Sequence, residues 1–366
     1  MSEIKSRDVF FMKRALFLAR RGAGKVSPNP LVGAVLVKKN KVIGEGAHLA
    51  FGGPHAEVHA IRNAKADPKG ATLYVTLEPC AHQGKTPACT DLILEKKIKK
   101  VIIADRDSNP LVSGKGIRVL KRAGVRVMAG VLEAEALELN KAYHYWVRKK
   151  KPYVIVKVAQ SVDGKIVTKP GQSRWISGLP ARKISHALRA SSQAVLVGVN
   201  TVIKDDPRLS VRHLKSVAQP AKVVLDSRLR TSPAAQLFSK RSKASVILAV
   251  TKKAPESRRR RFINRAEIWV IKEKNGRVDL KEVLKRLGRR GVCQVLIEGG
   301  AEVIADAIAR HLVNEVCLFI APKIAGGRRT LGLIKDSGIS FLGEVSRLRH
   351  IKVQLVGRDL LIQGVF

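Results

Sequence analysis

The stretch Pro54-His55-Ala56-Glu57, together with Cys80 and Cys89, decides what the first part of this sequence can form. One imidazole and two thiols make a three-ligand set for zinc, and three protein ligands leave a fourth position open, as catalytic zinc sites do. Glu57 lies two residues after the histidine, where a non-ligand carboxylate can carry a proton from water to a leaving amine. The pattern predicts a hydrolytic zinc site with ligands His55, Cys80 and Cys89 and catalytic Glu57.

Each of these residues also has an ordinary structural role. A cysteine is often a small buried hydrophobe, and an acid in the first turn of a helix stabilises the helix dipole. The residues nevertheless occur together, and a proline directly precedes both His55 and Cys80. The combination favours the metal site.

Strand and helix patterns alternate around these residues, which indicates a sheet covered by helices. We predict helices at 9–21, 54–64, 115–123 and 133–146 and strands at 32–37, through 43, at 72–77, 101–104 and 125–128. Thr86 and Pro87 have the residue types of an N-cap and first helical position. The pattern closes a first domain, residues 1–150, near a short basic joint at 148–152.

A second α/β pattern, residues 151–366, follows the joint. Its strands are predicted at 153–159, 194–198, 222–226, 245–250 and 294–298, and a last group of strands begins at 316. Its helices are predicted at 280–287 and from the glycine pair 299–300 through 309. Gly299-Gly300 stands between a strand and a helix. Such a glycine pair either cradles a phosphate at the helix N-terminus or makes a tight turn, and the sequence leaves both open.

The chain has 366 residues and a formal net charge of +41, with an aromatic content of 4%. This length suits about two domains. A nucleic-acid surface combines a clustered positive charge with stacking aromatics, whereas here the excess is spread and the dense run is 258–261. We therefore expect a solvated basic surface that attracts anionic small molecules. Two alternative functions stay open. One is a deaminase that acts on bases in RNA or DNA. The other is a nucleic-acid-binding protein with a structural zinc ion, for which His82 would be the fourth ligand.

The cellular location follows from what the sequence lacks. It has no apolar run of about 18 residues, the length of a membrane span, and its first eight residues contain two acids, unlike a signal peptide. Four cysteines are few for a disulfide framework. We expect a cytoplasmic protein with no membrane segment.

The longer motif Pro79-Cys80-Ala81-His82-Gln83-Gly84-Lys85-Thr86-Pro87-Ala88-Cys89, with Ser27-Pro28-Asn29-Pro30 before it, resembles the bifunctional riboflavin-biosynthesis deaminase-reductases. The second half resembles the same family in order, at 161–165, 171–177, 201–202, 205–207, 226–227, 298–300 and 321–323. The resemblance implies an α/β protein with an N-terminal cytidine-deaminase-like α/β/α domain and a C-terminal dihydrofolate-reductase-like α/β domain.

The resemblance also implies two consecutive reactions. Zinc (Zn²⁺) would support hydrolytic deamination of 2,5-diamino-6-(5-phosphoribosylamino)pyrimidin-4-one, and NADPH would then reduce the ribosyl group, opened to its imine form, to a ribityl chain. The implied substrate-binding residues are Asn29, His48, His82, Lys85, Ser173, Arg189, Leu209, Arg212 and Glu298. The implied NADPH-binding residues are Ala159, Trp175, Thr201, Asp205, Ser227 and Gly300. We expect a small-molecule phosphoribosyl pyrimidine substrate, no specific nucleic-acid partner and a homo-oligomer.

Overall fold

The computed structural model describes residues 4–82, 87–110, 112–167, 176–212, 214, 218–239, 244–326, 331–332 and 347–366. The chain divides into two compact units, Met1–Lys150 and Lys151–Phe366. Each unit has its own central sheet. Among the described residues, no helix combines the length and hydrophobicity that are needed to cross a bilayer.

The sheet of the first unit has five strands in the order β2-β1-β3-β4-β5. They are β1 (Gly33–Lys38), β2 (Lys41–Ala47), β3 (Thr72–Leu77), β4 (Lys100–Asp105) and β5 (Arg126–Ala129). Strand β1 runs antiparallel to β2 and β3, whereas β3, β4 and β5 are parallel. The inner strands β3 and β4 are buried almost throughout, which explains why they read as continuous apolar runs.

Six α-helices accompany this sheet in the described residues, and a short 3-10 helix, Arg20–Gly22, follows the first. The α-helices are α1 (Ser6–Ala19), α2 (Ala56–Arg62), α3 (Cys89–Glu95), α4 (Lys115–Arg122), α5 (Glu133–Leu139) and α6 (Lys141–Lys149). Side chains of β3 alternate between two cores, because successive residues of a strand point to opposite faces. Leu73 packs in the core that contains Ala60 of α2, and Tyr74 in the core that contains Met12 of α1.

Two helix boundaries differ from the sequence prediction. The helix predicted at 133–146 is two helices separated at Asn140, whose side chain accepts a hydrogen bond from Leu31 N (2.8 Å) and donates one to Leu31 O (2.9 Å). The side chain of Asn140 thus binds the backbone of Leu31, two residues before β1, and the helix is interrupted at this residue. The prediction that Thr86 caps the helix of Cys89 was wrong, since α3 begins at Cys89 and its N-cap residue is Ala88.

The second unit has a nine-stranded sheet in the order β11-β10-β9-β8-β14-β6-β15-β18-β17. The strands of the unit are β6 (Tyr153–Ser161), β7 (Lys165–Val167), β8 (Ala194–Gly198), β9 (Ala221–Leu225), β10 (Val246–Val250), β11 (Glu267–Val270), β12 (Glu273–Lys274), β13 (Arg277–Val278), β14 (Gln294–Glu298), β15 (Glu315–Ala321), β16 (Leu331–Gly332), β17 (Arg349–Val356) and β18 (Asp359–Val365). The seven strands from β11 to β15 in this order are parallel to their neighbours. Strand β18 pairs antiparallel with both β15 and β17.

The helices of this unit in the described residues are α7 (Leu179–Ser191), α8 (Val199–Asp205), α9 (Glu256–Arg260), α10 (Leu280–Arg289) and α11 (Ala301–Ala309). The sequence prediction missed α7. Two of the positions that α7 buries are the polar residues Ser185 and His186, so its apolar periodicity is weak. The parallel strands β8, β14 and β6 are neighbours, and their carboxyl ends, where open α/β sheets bind ligands, lie at one edge.

Lys222 is a charged residue inside the second core. It lies in β9 with 1% of its surface exposed, and its Nζ donates a hydrogen bond of 2.6 Å to Leu237 O. Burial disfavours the ammonium form and lowers the pKa of Lys222 to about 8. The folded unit therefore releases this proton well below the ordinary value of 10.5.

This difference predicts a pH-dependent stability. Between the two pKa values the unfolded chain binds more protons than the folded one, so the free energy of unfolding rises with pH through this window. We expect the parent to gain about 3 kcal/mol relative to Lys222→Met between about pH 7 and pH 10.5. Urea unfolding of both proteins across this range measures the difference. Parallel stability profiles would contradict the assignment.

Candidate active sites

The predicted zinc ligands come from three elements and meet at the carboxyl end of β3. His55 is the N-cap residue of α2, Cys80 follows β3, and Cys89 is the first residue of α3. One ligand atom of each lies within 4.8 Å of the other two. His55 Nδ1 is 3.6 Å from Cys80 Sγ and 3.3 Å from Cys89 Sγ. A tetrahedral zinc ion, with Zn–N about 2.0 Å and Zn–S about 2.3 Å, would separate N and S by about 3.5 Å, so the residues fit this ion.

Close packing of α2 on β2 brings His55 into this position. A Cβ atom on Gly46 would lie 2.2 Å from Ala56 O, so only glycine permits this approach. Around the thiols, the Cys89 backbone N–H lies 3.4 Å from Cys80 Sγ. The hydrogen bond with the Cys89 thiol, and then that with His55, lowers the pKa of Cys80. The site thus favours a thiolate, the form that binds metals.

Glu57 lies in the first turn of α2 beside the ligands. Its side chain is buried, with 3% of the residue exposed. Burial raises the pKa of Glu57 to about 7, against the opposing effect of His55. A carboxyl group with a pKa near neutrality can both accept and donate a proton at physiological pH.

Asn29 and His48, two of the predicted substrate residues, are hydrogen-bonded to each other. His48 Nδ1 lies 3.0 Å from Pro54 O, and a carbonyl can only accept, so Nδ1 carries the proton. His48 Nε2 therefore accepts from Asn29 Nδ2, at 3.0 Å. Burial lowers the pKa of His48, which favours this neutral form. Nδ2 of Asn29 therefore donates to His48, and Oδ1 of Asn29 is the atom that can accept a hydrogen bond from a ligand.

The remaining predicted residues of the first site lie differently. His82 is exposed and is not part of the ligand cluster found among the described residues. This favours the open fourth position of a catalytic zinc over a shell completed by His82. Lys85 lies outside the described residues.

Two acids at the same edge were not singled out from the sequence. Glu78 accepts hydrogen bonds from the backbone N–H groups of Gly114 (2.9 Å) and Ile117 (3.2 Å). Asp107 accepts from Asn109 N (2.8 Å) and from the Tyr143 hydroxyl (2.9 Å). The sequence did contain a signal for both acids. Glu78 directly follows β3 and Asp107 lies two residues after β4, at the ends of buried parallel strands where ligand sites form.

In the second unit, the predicted substrate residues Arg189 and Glu298 form a bidentate ion pair. Arg189 Nε and Nη2 donate to the two carboxylate oxygens of Glu298 at 2.7 and 2.6 Å, and Nη1 donates to Ser210 O at 3.1 Å. Burial acts to raise the pKa of Glu298, but Arg189 outweighs it and the pKa is lowered. The sheet also places Lys157 of β6 beside Glu298. Lys157 was missed, although a lysine inside the apolar run 153–159 was a signal.

Leu209 and Arg212 follow α8. Leu209 is buried and has φ of 52°, a left-handed conformation that is uncommon for leucine. Arg212 N donates to His186 Nδ1 at 3.2 Å. Burial lowers the pKa of Arg212, and so do the positive charges of Arg189, Arg208 and Arg182. The cluster of guanidinium groups favours an anion. Ser173 lies outside the described residues.

Thr201 and Gly300, two of the predicted cofactor residues, lie against each other. A Cβ atom on Gly300 would be 3.4 Å from Thr201 Oγ1 and 3.7 Å from Gly198 N, and φ of Gly300 is 80°, so the strand-Gly-Gly-helix turn lies close to the start of α8. Ala159 lies near the carboxyl end of β6, at the same sheet edge. Asp205 ends α8. Ser227 follows β9, and its Oγ accepts a hydrogen bond from Val278 N at 3.0 Å. Trp175 lies outside the described residues.

Comparisons with known proteins match the two parts of the chain to two different family models. Residues 5–105 match the family model of the cytidine and deoxycytidylate deaminase zinc-binding region, and residues 152–362 match that of the RibD C-terminal domain. The chain is 41% identical to the riboflavin biosynthesis protein RibD of Aquifex aeolicus, over 98% of both chains. It is 34% identical to RibD of Escherichia coli, over 98% of this chain and 99% of the relative.

Solved structures give the same result. RibD of Acinetobacter baumannii superposes with a TM-score of 0.88 at 35% identity, with 98% of each chain covered. A diaminohydroxyphosphoribosylaminopyrimidine deaminase/5-amino-6-(5-phosphoribosylamino)uracil reductase of Thermotoga maritima superposes with a TM-score of 0.87 at 38% identity, again over 98% of each chain. The expected fold, a deaminase-like unit followed by a reductase-like unit, is confirmed.

The geometry of the thiol cluster predicts which cysteines retain zinc. We expect Cys80→Ser to lower the zinc affinity by at least about 100-fold, because a neutral hydroxyl replaces a thiolate ligand. Cys293→Ser is the matched control, since Cys293 is a buried cysteine outside the cluster. Metal analysis after dialysis against a chelator measures the retained zinc. Equal zinc in both variants would contradict the ligand assignment.

Proposed function

The chain belongs to the RibD family of bifunctional riboflavin-biosynthesis enzymes, and from this membership we propose which residues carry its two reactions. The enzyme is a zinc-dependent pyrimidine deaminase and an NADPH-dependent reductase. It deaminates 2,5-diamino-6-(5-phosphoribosylamino)pyrimidin-4-one by hydrolysis and then reduces the ribosyl side chain to the ribityl chain. The observation that carries the residue assignment is the convergence of His55, Cys80 and Cys89 beside buried Glu57.

Residues 1–150 form the deaminase domain and residues 151–366 the reductase domain in this proposal. The boundary between the compact units at Lys150 supports it. So does the position of the two family-model matches, which end and begin on opposite sides of that residue.

In the deaminase, His55 Nδ1 and the thiolates of Cys80 and Cys89 would hold zinc. Bound zinc supplies Lewis acidity that makes water a nucleophile at neutral pH. Glu57 takes a proton from the attacking water and delivers it to the leaving amine, so that water is consumed and ammonia is released. The pKa of about 7 suits Glu57 to both transfers. The buried position keeps bulk water away from the proton that Glu57 carries.

Substrate recognition in the deaminase rests on Asn29, His48, His82 and Lys85. The bond with His48 fixes the Asn29 amide, so that Oδ1 accepts from a substrate N–H or hydroxyl group. Lys85 supplies a positive charge for the substrate phosphate, and His82, whose side chain is exposed, is free to contact the substrate.

In the reductase, Ser173, Arg189, Leu209, Arg212 and Glu298 bind the substrate. Arg212 contacts the phosphate, and the neighbouring guanidinium groups strengthen its field. The pair of Arg189 and Glu298 holds both side chains in fixed orientations. NADPH supplies the reducing equivalents, and positioning is the main task of the protein. Ala159, Trp175, Thr201, Asp205, Ser227 and Gly300 bind NADPH.

The enzyme acts on a small molecule, and we propose that it does so in the cytoplasm as a homo-oligomer. The oligomer is supported by β17, an edge strand in the order of the described sheet. Ile351, Val353 and Leu355 of this strand share one face and are exposed by 58%, 58% and 77%. An exposed apolar edge of this kind commonly pairs with another chain.

The assignment of the two reactions to separate domains predicts that Glu57→Gln affects only one of them. We expect ammonia release to fall by at least about 10³-fold, because the amide can neither accept the proton from water nor return it. NADPH oxidation should be unchanged when the deaminated intermediate is supplied. Parallel assays of both reactions, with zinc content as the control, test this. Loss of both activities together would contradict separate sites.

The arginine cluster predicts a phosphate-dependent effect. We expect Arg212→Ala to raise KM of the reductase for the phosphorylated intermediate by about 10- to 100-fold, since a charge-assisted contact is lost. Its KM for the dephosphorylated intermediate should equal that of the parent. Arg228→Ala is the control, because Arg228 is also exposed but follows β9. An equal loss for both substrates would show that Arg212 does not recognise the phosphate.

A further inference from the structure

A buried polar array joins α6 to the end of β4. His144 Nε2 lies 2.8 Å from Asp105 Oδ2, and the two side chains are 1% and 6% exposed. The other ring nitrogen, Nδ1, lies 2.7 Å from Ser108 Oγ. One imidazole therefore bridges the last residue of β4 and a residue three positions further along the chain.

The two contacts of the imidazole differ in kind. The 2.8 Å approach of Nε2 to the Asp105 carboxylate is a close polar contact without hydrogen-bond geometry. The contact of Nδ1 with Ser108 Oγ is a hydrogen bond, in which a hydroxyl can act as donor or acceptor. Together the two contacts hold one side chain against two positions of the chain.

The segment 105–109, which the array holds, leads to the metal site. Asp105 O accepts a hydrogen bond from Glu78 N at 3.0 Å, two residues before the ligand Cys80. Beyond the segment, a Cβ atom on Gly116 would lie 1.9 Å from Pro79 O, so the start of α4 is in direct contact with the residue before Cys80. The segment thus lies at the carboxyl edge of the sheet beside the zinc cluster.

Helix α6 and the residue directly before it make further polar contacts. The Tyr143 hydroxyl donates to Asp107 Oδ1 at 2.9 Å, inside the segment 105–109. Asn140, directly before the helix, holds the backbone of Leu31 at 2.8 and 2.9 Å, two residues after Asn29. Helix α6 therefore orients a segment on either side of the site.

We propose that His144 is a positioning residue for deamination: through Asp105 and Ser108 it fixes the segment 105–109 as a wall of the substrate pocket beside Cys80. The proposal rests on the assignment of the deaminase site to the first unit. A buried polar pair is a poor source of stability, because apolar replacements are often as stable. The directional bonds of Ser108 with His144 and of Tyr143 with Asp107 do fix the orientation of a backbone segment, which apolar packing does less well.

The test separates orientation from folding, in the full-length zinc-loaded enzyme. Asp105→Leu with His144→Leu replaces the buried polar pair by apolar side chains, and Ser108→Ala removes only the second contact. His144→Gln is the rescuing variant, because its amide can donate to Asp105 and accept from Ser108. For each protein, KM and kcat of ammonia release, NADPH oxidation with the deaminated intermediate, and zinc content are measured.

We expect KM for the diamino substrate to rise by about tenfold or more in the double variant and in Ser108→Ala, with kcat within about threefold, since a displaced wall weakens positioning. Reductase activity and zinc content should be unchanged, and His144→Gln should stay near the parent. An unchanged KM in the double variant overturns the proposal. Joint loss of zinc, deaminase and reductase activity also overturns it, in favour of a purely structural role. Absence of ammonia release from the parent would instead reject the deaminase assignment itself.

Discussion

The first unit depends on one geometric constraint: three ligand atoms from separate elements must lie within 4.8 Å of one another. A helix cap, a strand end and a helix start can meet this constraint only if the sheet and the two helices are rigid. The approach of α2 to β2 at Gly46 fixes the helix cap. The bond from Cys89 N to Cys80 Sγ fixes the two thiols relative to each other. Glu57 is then buried by the same packing that positions His55, and its raised pKa follows from the burial.

Hydrogen bonds from buried side chains to backbone groups hold the segments around this cluster. Asn140 holds Leu31, and Glu78 holds the start of α4. These bonds join residues far apart in the chain, and an unpaired buried amide or carboxylate would be costly. Each bond therefore disfavours alternative positions of a segment that apolar contacts alone would tolerate. The deaminase site is a set of ends and turns, and polar contacts with defined directions suit such a site.

The second unit uses the edge of a parallel sheet in a similar way. Glu298 and Lys157 lie opposite each other on adjacent strands, and Arg189 of α7 completes the group by a bidentate pair. On the other side of Glu298, two glycines with positive φ let α11 start close to Thr201. The positive charge near Arg212 is a local concentration within a basic chain. Elsewhere the excess of basic residues is spread along the sequence.

The sequence by itself determined the chemistry and most of the framework. His55, Cys80, Cys89 and Glu57 carry their meaning in residue type and order, and strands β3, β8 and β14 were predicted with their observed bounds because buried strands are continuous apolar runs. Only the tertiary structure decided the partners. The break at Asn140, helix α7 with its buried polar residues, the pair of Asn29 with His48 and the array around His144 all depend on contacts between residues distant in the chain. Local periodicity reports burial, whereas the partner of a polar side chain is set by the packing of the whole unit.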